Sequence, residues 1–132
     1  MKLRIRGDSV RLRLTQSEVN DIGTGKAVRE STRFIDGSSL HYSLETQPSI
    51  RQIEVQMLDN CLAVRLPSKM ASSWALSLDV AIKYQQAIPG EPTEKLFVLI
   101  EKDFNCLKVR ENETEDESDM FANPNTHKGS CG

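Results

Sequence analysis

Residues 1–14 read MKLRIRGDSVRLRL, and basic side chains alternate with apolar ones on both sides of Gly7-Asp8. A Gly-Asp pair between two alternating segments is typical of a two-residue β-hairpin loop. Facing residues then have numbers that sum to 15, which pairs apolar with apolar and basic with basic residues. A register shift of one residue would mix the two faces. The stretch therefore predicts a hairpin with an apolar face and a basic face, the latter carrying Lys2, Arg4, Arg11 and Arg13.

Two further turn sequences predict hairpins of the same kind. Asp59-Asn60 fits a two-residue loop, with facing residues whose numbers sum to 119, and Asp36-Gly37-Ser38 fits a three-residue loop. Each hairpin again separates apolar residues from charged ones. The facing pairs predicted on the charged sides are Glu54 with Arg65, Arg33 with His41, and Arg29 with Glu45.

Alternation with a period of two dominates the chain as far as residue 102, which predicts a protein built from strands. The predicted strands cover residues 2–6, 9–14, 26–35, 39–46, 50–58, 61–66, 80–88 and 95–102. Two short helices interrupt them. The first begins at Thr15 in a capping box with Glu18, and the second follows Pro67 with Ser68 as its cap. KLFVLI (95–100) is apolar without alternation, which predicts a strand covered on both faces.

An internal repeat accompanies these elements. VRLRLTQSEV (10–19) and LAVRLPSKMA (62–71) both run from a strand through Arg-Leu into a helix, and the order two strands, helix, two strands occurs twice. We therefore expect an α+β domain with a mainly antiparallel sheet of about eight strands, two short helices and pseudo-equivalent halves. Such a sheet would be curled, or closed into a barrel with a polar concave side.

The composition is that of a globular protein, because 38% of the 132 residues are hydrophobic and 27% are charged. No apolar run approaches the roughly 20 residues that span a bilayer. The basic residues at the N-terminus are not followed by the apolar stretch of a secretory signal. Three cysteines, an odd number, favour reduced thiols over disulfides. We therefore expect a cytoplasmic protein with no membrane partner.

Charge is distributed unevenly along the chain. Residues 111–132 hold six acidic residues and one basic residue, whereas the first 110 residues hold 16 basic and 13 acidic ones. We expect a single α+β domain over residues 1–110 and an acidic, extended C-terminal tail over 111–132. The net charge of −2 and the seven aromatic residues argue against a nucleic-acid partner.

The basic side chains of the hairpins have three interpretations. They form a solvated sheet face, or they are neutralised by the tail or by Glu45, Glu54 and Glu101, or they bind an anionic small molecule. Arginine suits the last role because its planar guanidinium binds oxyanions through two parallel hydrogen bonds. The residues predicted for this anion site are Lys2, Arg4, Arg11, Arg13, Arg33 and Arg65.

The repeated plan of strands and helices, with basic residues along a curled sheet, resembles the triphosphate tunnel (CYTH) superfamily over residues 2–102. The resemblance implies an eight-stranded barrel that binds triphosphate or organophosphate substrates inside it, with a divalent metal. The superfamily carries Glu-x-Glu-x-Lys in its opening strand, where this chain has KLRIR (2–6), and IEVQM (53–57) has one acid where two would stand. The candidate ligands for Mg or Mn in this chain are Glu54 and Glu101. The paired acids by which the superfamily holds its metal are missing, and a metal-assisted hydrolase needs them.

A second resemblance covers the whole chain. LIEKDFNCLKVRENETEDESDMFANPN (99–125), together with MKLRIRG (1–7) and RLRLTQSEV (11–19), resembles a family of small uncharacterised bacterial proteins. The combination of these motifs is more specific than composition alone would produce. The resemblance implies relatives of the same length, but it assigns no activity to this chain.

These observations favour a non-enzymatic binding or interaction module without a cofactor. Its basic sheet face would bind an anionic ligand or the protein's own acidic tail. One alternative is a metal-dependent organophosphate or triphosphate hydrolase of tunnel type, with Mg or Mn. The other is a purely structural protein that forms homo-oligomers, in which the tail of one subunit docks on the basic face of a neighbour.

Overall fold

The structure is a computed structural model in which residues 1–104 and 119–122 are described. Within them, two units of the order β-β-α-β-β follow one another along the chain. The elements are β1 (Lys2–Ile5), β2 (Ser9–Leu14), α1 (Gln16–Gly23), β3 (Val28–Arg33), β4 (Ser39–Gln47), β5 (Glu54–Leu58), β6 (Cys61–Pro67), α2 (Ser68–Leu76), β7 (Ala81–Ile88) and β8 (Glu91–Lys102). The predicted boundary at residue 110 and most of the predicted tail lie outside the described residues.

The strands of the described residues form two four-stranded sheets. Sheet 1 has the order β1-β2-β8-β7, and sheet 2 has the order β3-β4-β6-β5. The hairpins pair antiparallel, whereas the central contacts β2–β8 and β4–β6 are parallel. The predicted α+β class, with about eight mainly antiparallel strands and two short helices, is confirmed. The strands divide between two sheets, and the described residues form no closed barrel.

The topology also contains the predicted internal repeat. Each sheet combines the first hairpin of one unit with the second hairpin of the other. At the centre of sheet 1, Arg13 lies opposite Glu101, and at the corresponding point of sheet 2, Arg65 lies opposite Glu45. The two sheets therefore share one plan but carry different side chains, so each serves as an internal reference for the other.

The apolar faces of both sheets and of both helices contribute to a single core. The largest of its fully buried side chains are Leu12, Leu14, Ile22, Leu44, Leu66, Ile100 and Val64. The Tyr42 hydroxyl donates to the Met1 carbonyl at 3.3 Å, and the Val55 N–H donates to the Gln86 side-chain oxygen at 3.1 Å, which connects the sheets on both open sides. The sheets thus pack face to face, and their charged faces point away from the core. Neither helix of the described residues has the length and apolar character needed to cross a bilayer.

Two hairpins have the predicted registers. The observed pairs are Lys2–Arg13, Leu3–Leu12, Arg4–Arg11 and Ile5–Val10 in the first, and Glu54–Arg65, Val55–Val64 and Met57–Leu62 in the β5–β6 hairpin. Gly7 has a φ of +51°, a conformation that glycine adopts without strain. Asp59 and Asn60 have φ values of +50° and +61°, and positive φ at both loop positions is what a type I′ turn requires.

The predicted register of the β3–β4 hairpin is wrong by two residues. Its loop consists of residues 35–37, so Arg33 faces Ser39 and not His41. Gly37 occupies the last loop position with a φ of +90°, because a three-residue hairpin loop ends in the left-handed conformation that glycine favours. A shift of two residues keeps every side chain on its predicted face.

Several strand boundaries differ from those predicted. β3 and β5 are shorter, and β8 begins at Glu91 because Pro89-Gly90 forms a turn in which Gly90 has a φ of +82°. β8 lies in the interior of sheet 1, between β2 and β7. Phe97 on its outward face is nevertheless 52% exposed, so the prediction of a strand covered on both faces is wrong. The outward apolar residues of β8 interrupt the alternation of apolar and polar residues along the strand. Among the described elements, no helix or strand packs over them.

The two helices begin differently. In α1 the capping box is confirmed, because the Glu18 N–H donates to Thr15 Oγ1 at 3.3 Å and the Thr15 N–H donates to Glu18 Oε1 at 2.9 Å. In α2 the predicted cap is wrong, because Pro67 occupies the cap position and Ser68 is already the first helical residue. Strand β6 runs directly into this helix, which leaves no residue between them for a side-chain cap.

The capping carboxylate of α1 is also an ion-pair partner. Glu18 Oε2 lies 2.6 Å from the Met1 ammonium nitrogen. Partial burial raises the pKa of Glu18, but hydrogen bonds from the Met1 ammonium and from Thr15 outweigh burial and hold this pKa below its usual 4.5. A carboxyl with a lowered pKa in the folded state stabilises the fold above the pKa of the unfolded chain. This stabilisation is lost as the pH falls through the folded pKa.

We expect Glu18→Gln to lower the free energy of unfolding by about 1 kcal/mol near neutral pH, because the ion pair and the charged cap are lost. The difference from wild type should shrink as the pH falls below 4.5, where the wild-type carboxyl also becomes neutral. Urea unfolding of both proteins near neutral pH and in acid measures the difference. A difference that stays constant with pH would contradict this electrostatic explanation.

Candidate anion-binding face

Two rows of outward side chains cross all four strands of sheet 1. In register, the first row consists of Lys2, Arg13, Glu101 and Ala81, and the second of Arg4, Arg11, Leu99 and Lys83. The rows hold five cations and one carboxylate, and we call them the basic face. Two pairs of like charges stand directly opposite each other on β1 and β2. Such a pair destabilises a sheet by a few tenths to about 1 kcal/mol.

The carboxylate of the basic face lies at its centre. Glu101 Oε1 accepts a hydrogen bond from Arg13 Nε at 2.8 Å and lies 4.0 Å from Arg11 Nε. The side chains of Glu101, Arg13 and Arg11 are 4%, 10% and 15% exposed. The guanidinium groups beside this deeply buried carboxylate supply both opposite charge and hydrogen-bond donors.

A second acid borders the face where β8 ends. Lys2 Nζ lies 3.7 Å from Asp103 Oδ2, and the Asp103 N–H donates to the Leu14 carbonyl at 2.8 Å. The Lys2 side chain is 75% exposed. An ion pair this exposed contributes between zero and about 1 kcal/mol. The described chain therefore leaves sheet 1 beside the basic face, and among the residues described there five cations stand beside two acids, Glu101 and Asp103.

The equivalent rows of sheet 2 are balanced in charge. Their members are Glu54, Arg65 and Glu45 in the first row, and Gln56, Ala63, Ser43 and Arg29 in the second. Arg29 Nη2 lies 3.0 Å from Glu45 Oε1, and Arg65 Nε lies 3.8 Å from Glu45 Oε2. The same scaffold thus carries two acids and two bases here. The excess of cations on sheet 1 is therefore not a requirement of the fold.

The six residues predicted for an anion site are distributed over both sheets. Lys2, Arg4, Arg11 and Arg13 share the basic face, whereas Arg33 and Arg65 lie on the outward face of sheet 2. The apolar core lies between these two faces. The structure therefore brings four of the six together and keeps the other two apart.

The two candidate metal ligands are also separated. Glu54 lies on the outward face of sheet 2 opposite Arg65, and Glu101 lies on that of sheet 1 against Arg13. Within residues 1–104 and 119–122, no group of three or more His, Cys, Asp or Glu residues is placed to hold a metal ion.

Sequence reasoning missed the place of Lys83, and it named Glu101 as a neutralising acid without identifying Arg13 and Arg11 as its neighbours. Both depend on the pairing of β8 with its two neighbours, and the parallel contact joins Arg13 to a residue 88 positions away. No turn sequence predicts a parallel contact between strands so far apart in the chain. The repeat was the available signal, because it places Glu101 and Glu45 at equivalent positions beside equivalent arginines.

Comparison with known proteins places the chain in a family. No curated protein and no solved structure matches it. A family model matches residues 1–125, which include both sheets, both helices and every residue of the basic face. The chain therefore belongs to DUF7009, a family of unknown function.

Proposed function

We propose that the protein is a non-enzymatic binding module whose basic face holds a small anion with several phosphate groups. One observation carries the proposal: two sheets with the same plan differ in charge, balanced on sheet 2 and strongly cationic on sheet 1. Opposed like charges destabilise a sheet. A protein that keeps them on one sheet and avoids them on the other gains something from them, and anion binding is that gain.

The geometry of the face suits an extended anion better than a single charged group. Side chains two residues apart on one strand are about 6.6–6.8 Å apart, and facing residues on neighbouring strands are about 5 Å apart. The four cations of β1 and β2 therefore form a small grid. Three of its corners are arginines, Arg4, Arg11 and Arg13, and a guanidinium favours bidentate contacts with phosphate oxygens. Arg11 and Arg13 are 15% and 10% exposed and lie beside Glu101, so a ligand shares them with that carboxylate. A linear triphosphate spans such a grid, and inorganic phosphate does not.

The tunnel-type hydrolase is the weaker candidate for this chain. In the CYTH superfamily, which the sequence plan resembles, phosphates bind inside the barrel, whereas the inward faces here carry core residues such as Leu12, Leu44 and Ile100. The two acids suggested for Mg or Mn lie on opposite sides of that core. We also propose that the protein is cytoplasmic, and the half-buried free thiol of Cys61 fits that reducing compartment.

Thermal unfolding of the full chain with sodium triphosphate tests the proposal. At 100 times its dissociation constant a ligand stabilises the fold by about 2.7 kcal/mol, which raises Tm by on the order of 10 °C for a chain of this size. The shift should not require Mg or Mn, should fall with added salt, and should occur without release of phosphate. Metal-dependent phosphate release would instead establish the hydrolase.

The acidic segment 111–119 is the competing occupant of the face. A full-length variant with its six acids changed to amides separates the two cases: Glu111→Gln, Glu113→Gln, Glu115→Gln, Asp116→Asn, Glu117→Gln and Asp119→Asn. If the segment is the occupant, triphosphate will shift the Tm of this variant but not that of wild type. A shift of similar size in both proteins supports a separate anionic ligand.

A further inference from the structure

A cavity of about 400 Å³ opens where strands β2 and β8 end beside the two helices. Leu14 from the end of β2, Val19 from α1 and Ala75 from α2 contribute its apolar lining. Leu78 and Phe104 add two further apolar walls. Small-molecule sites occupy about 300–1,000 Å³, are mainly apolar and contain a few polar groups that orient the ligand. The cavity lies at the lower end of this range.

The polar groups of the cavity have a definite arrangement. Lys102 Nζ donates to the Ser77 carbonyl at 2.8 Å and lies 5.4 Å from the centroid of the Trp74 ring. The Asp103 carboxylate also lines the cavity, and it lies 3.7 Å from the Lys2 ammonium. Gln16 and Asn20 add amide groups. Among the described lining residues Lys102 is the cation, and a lysine ammonium can donate three hydrogen bonds.

Leu78 is a highly exposed apolar wall of the cavity. It is 99% exposed, and Leu76 two residues earlier is 91% exposed. Only Leu78 of these two leucines lines the cavity. Large apolar side chains grouped around a cavity are typical of binding surfaces, whereas isolated ones are ordinary.

We propose that this cavity binds a small amphipathic carboxylate, with its hydrocarbon part between Leu78, Phe104 and Val19 and its carboxylate at the Lys102 ammonium. The site is distinct from the basic face, because none of the five cations of that face lines it, and Asp103 lies at the border between the two. Its lining combines one side wall from α1, one from the segment after α2, and a floor from sheet 1.

Octanoate is the probe that tests this site in the full chain. Trp74 is the single tryptophan of the chain and adjoins Lys102, so its fluorescence reports binding directly. Octan-1-ol and octyltrimethylammonium have the same chain with a neutral and a cationic head. We expect saturable binding of octanoate, about tenfold weaker binding of octanol because a charge-assisted hydrogen bond is lost, and no saturable binding of the cation.

Two exposed leucines provide a matched pair of variants. Leu78→Ser should weaken octanoate binding about five- to tenfold, because part of a leucine contact with the ligand is lost. Leu76→Ser removes an equally exposed leucine outside the cavity and should leave the affinity unchanged. Lys102→Met should abolish the preference for octanoate over octanol, with circular dichroism confirming that the variant folds.

Three results would overturn the proposal. The first is the absence of a saturable change in Trp74 fluorescence with octanoate. The second is equal affinity for octanoate and octyltrimethylammonium. The third is an equal loss of octanoate affinity in Leu76→Ser and Leu78→Ser. The first would show that the cavity takes no such ligand. The second would remove the role of Lys102, and the third would indicate general adsorption to exposed leucines.

Discussion

Glu101→Ala is expected to lower the free energy of unfolding by about 3 kcal/mol, because removing one partner of a buried ion pair leaves the other charge uncompensated. Glu101 is the carboxylate within the two rows of the basic face, and Arg13 donates to it at 2.8 Å. Without it, five cations lie close together with no acid in their rows. Equilibrium unfolding in urea measures the loss, and m-values equal to those of wild type would show that the comparison is valid.

The repeat supplies a matched control for this variant. Glu45 occupies the equivalent position in sheet 2 beside Arg65, but both side chains are about a quarter exposed, 27% and 25%. Glu45→Ala should therefore cost no more than about 1 kcal/mol, as for other partly exposed pairs. Equal losses in Glu101→Ala and Glu45→Ala would show that burial does not set the strength of the pair in sheet 1.

A double variant separates the ion pair from the packing of its side chains. Arg13→Met with Glu101→Met replaces both charged groups by apolar side chains of similar length. Because a buried ion pair often contributes no more than apolar packing of the same volume, the double variant should be more stable than Glu101→Ala alone by about 2 kcal/mol or more. If the losses of unfolding free energy in the single variants Arg13→Met and Glu101→Met add up to that of the double variant, the two residues do not interact directly.

Gly23→Ala is expected to lower the free energy of unfolding by about 1–3 kcal/mol, although alanine normally stabilises a helix relative to glycine by about 1 kcal/mol. A Cβ atom at Gly23 would lie 2.5 Å from the Ala75 Cβ, far inside van der Waals contact. Gly23 ends α1, and Ala75 lies near the end of α2. The two helices therefore pack closely against each other at equivalent positions of the repeat.

The same equivalence predicts a rescue. Gly23→Ala combined with Ala75→Gly moves the one methyl group from α2 to α1 and should recover most of the lost stability. Ala75→Gly alone should cost about 1 kcal/mol through helix propensity. Urea unfolding of the four proteins forms a double-mutant cycle. A cycle without coupling would contradict the close contact of the two helices.

The sequence predicted the local features of the fold because short-range chemistry determines them. Gly7 and Asp59-Asn60 fix two hairpin registers through turn geometry, and Thr15 with Glu18 fixes the start of α1. The β3–β4 register failed because a glycine in a three-residue stretch can be assigned to the middle or to the end of the loop. The backbone takes the second arrangement, with Gly37 at a φ of +90°.

The division into two sheets could not be predicted in the same way. It depends on the parallel contacts β2–β8 and β4–β6, which join strands far apart in sequence and without a turn between them. The part of the candidate site that lies within one hairpin was therefore predictable: Lys2, Arg4, Arg11 and Arg13 share a face as expected. Arg33 and Arg65 were assigned to the same site only because a single curled sheet was assumed.

We propose that the basic face of sheet 1, and not cationic charge in general, binds a phosphate-bearing anion. Calorimetric titration of triphosphate into wild type and two double variants distinguishes these two cases. Arg4→Gln with Arg11→Gln removes two cations from the basic face, and Arg29→Gln with Arg33→Gln removes two from sheet 2. We predict that the first pair weakens binding at least about tenfold through lost charge-assisted hydrogen bonds, and that the second changes it less than about twofold. An equal loss of triphosphate affinity in the two double variants, or no binding of triphosphate by wild type, would contradict this proposal.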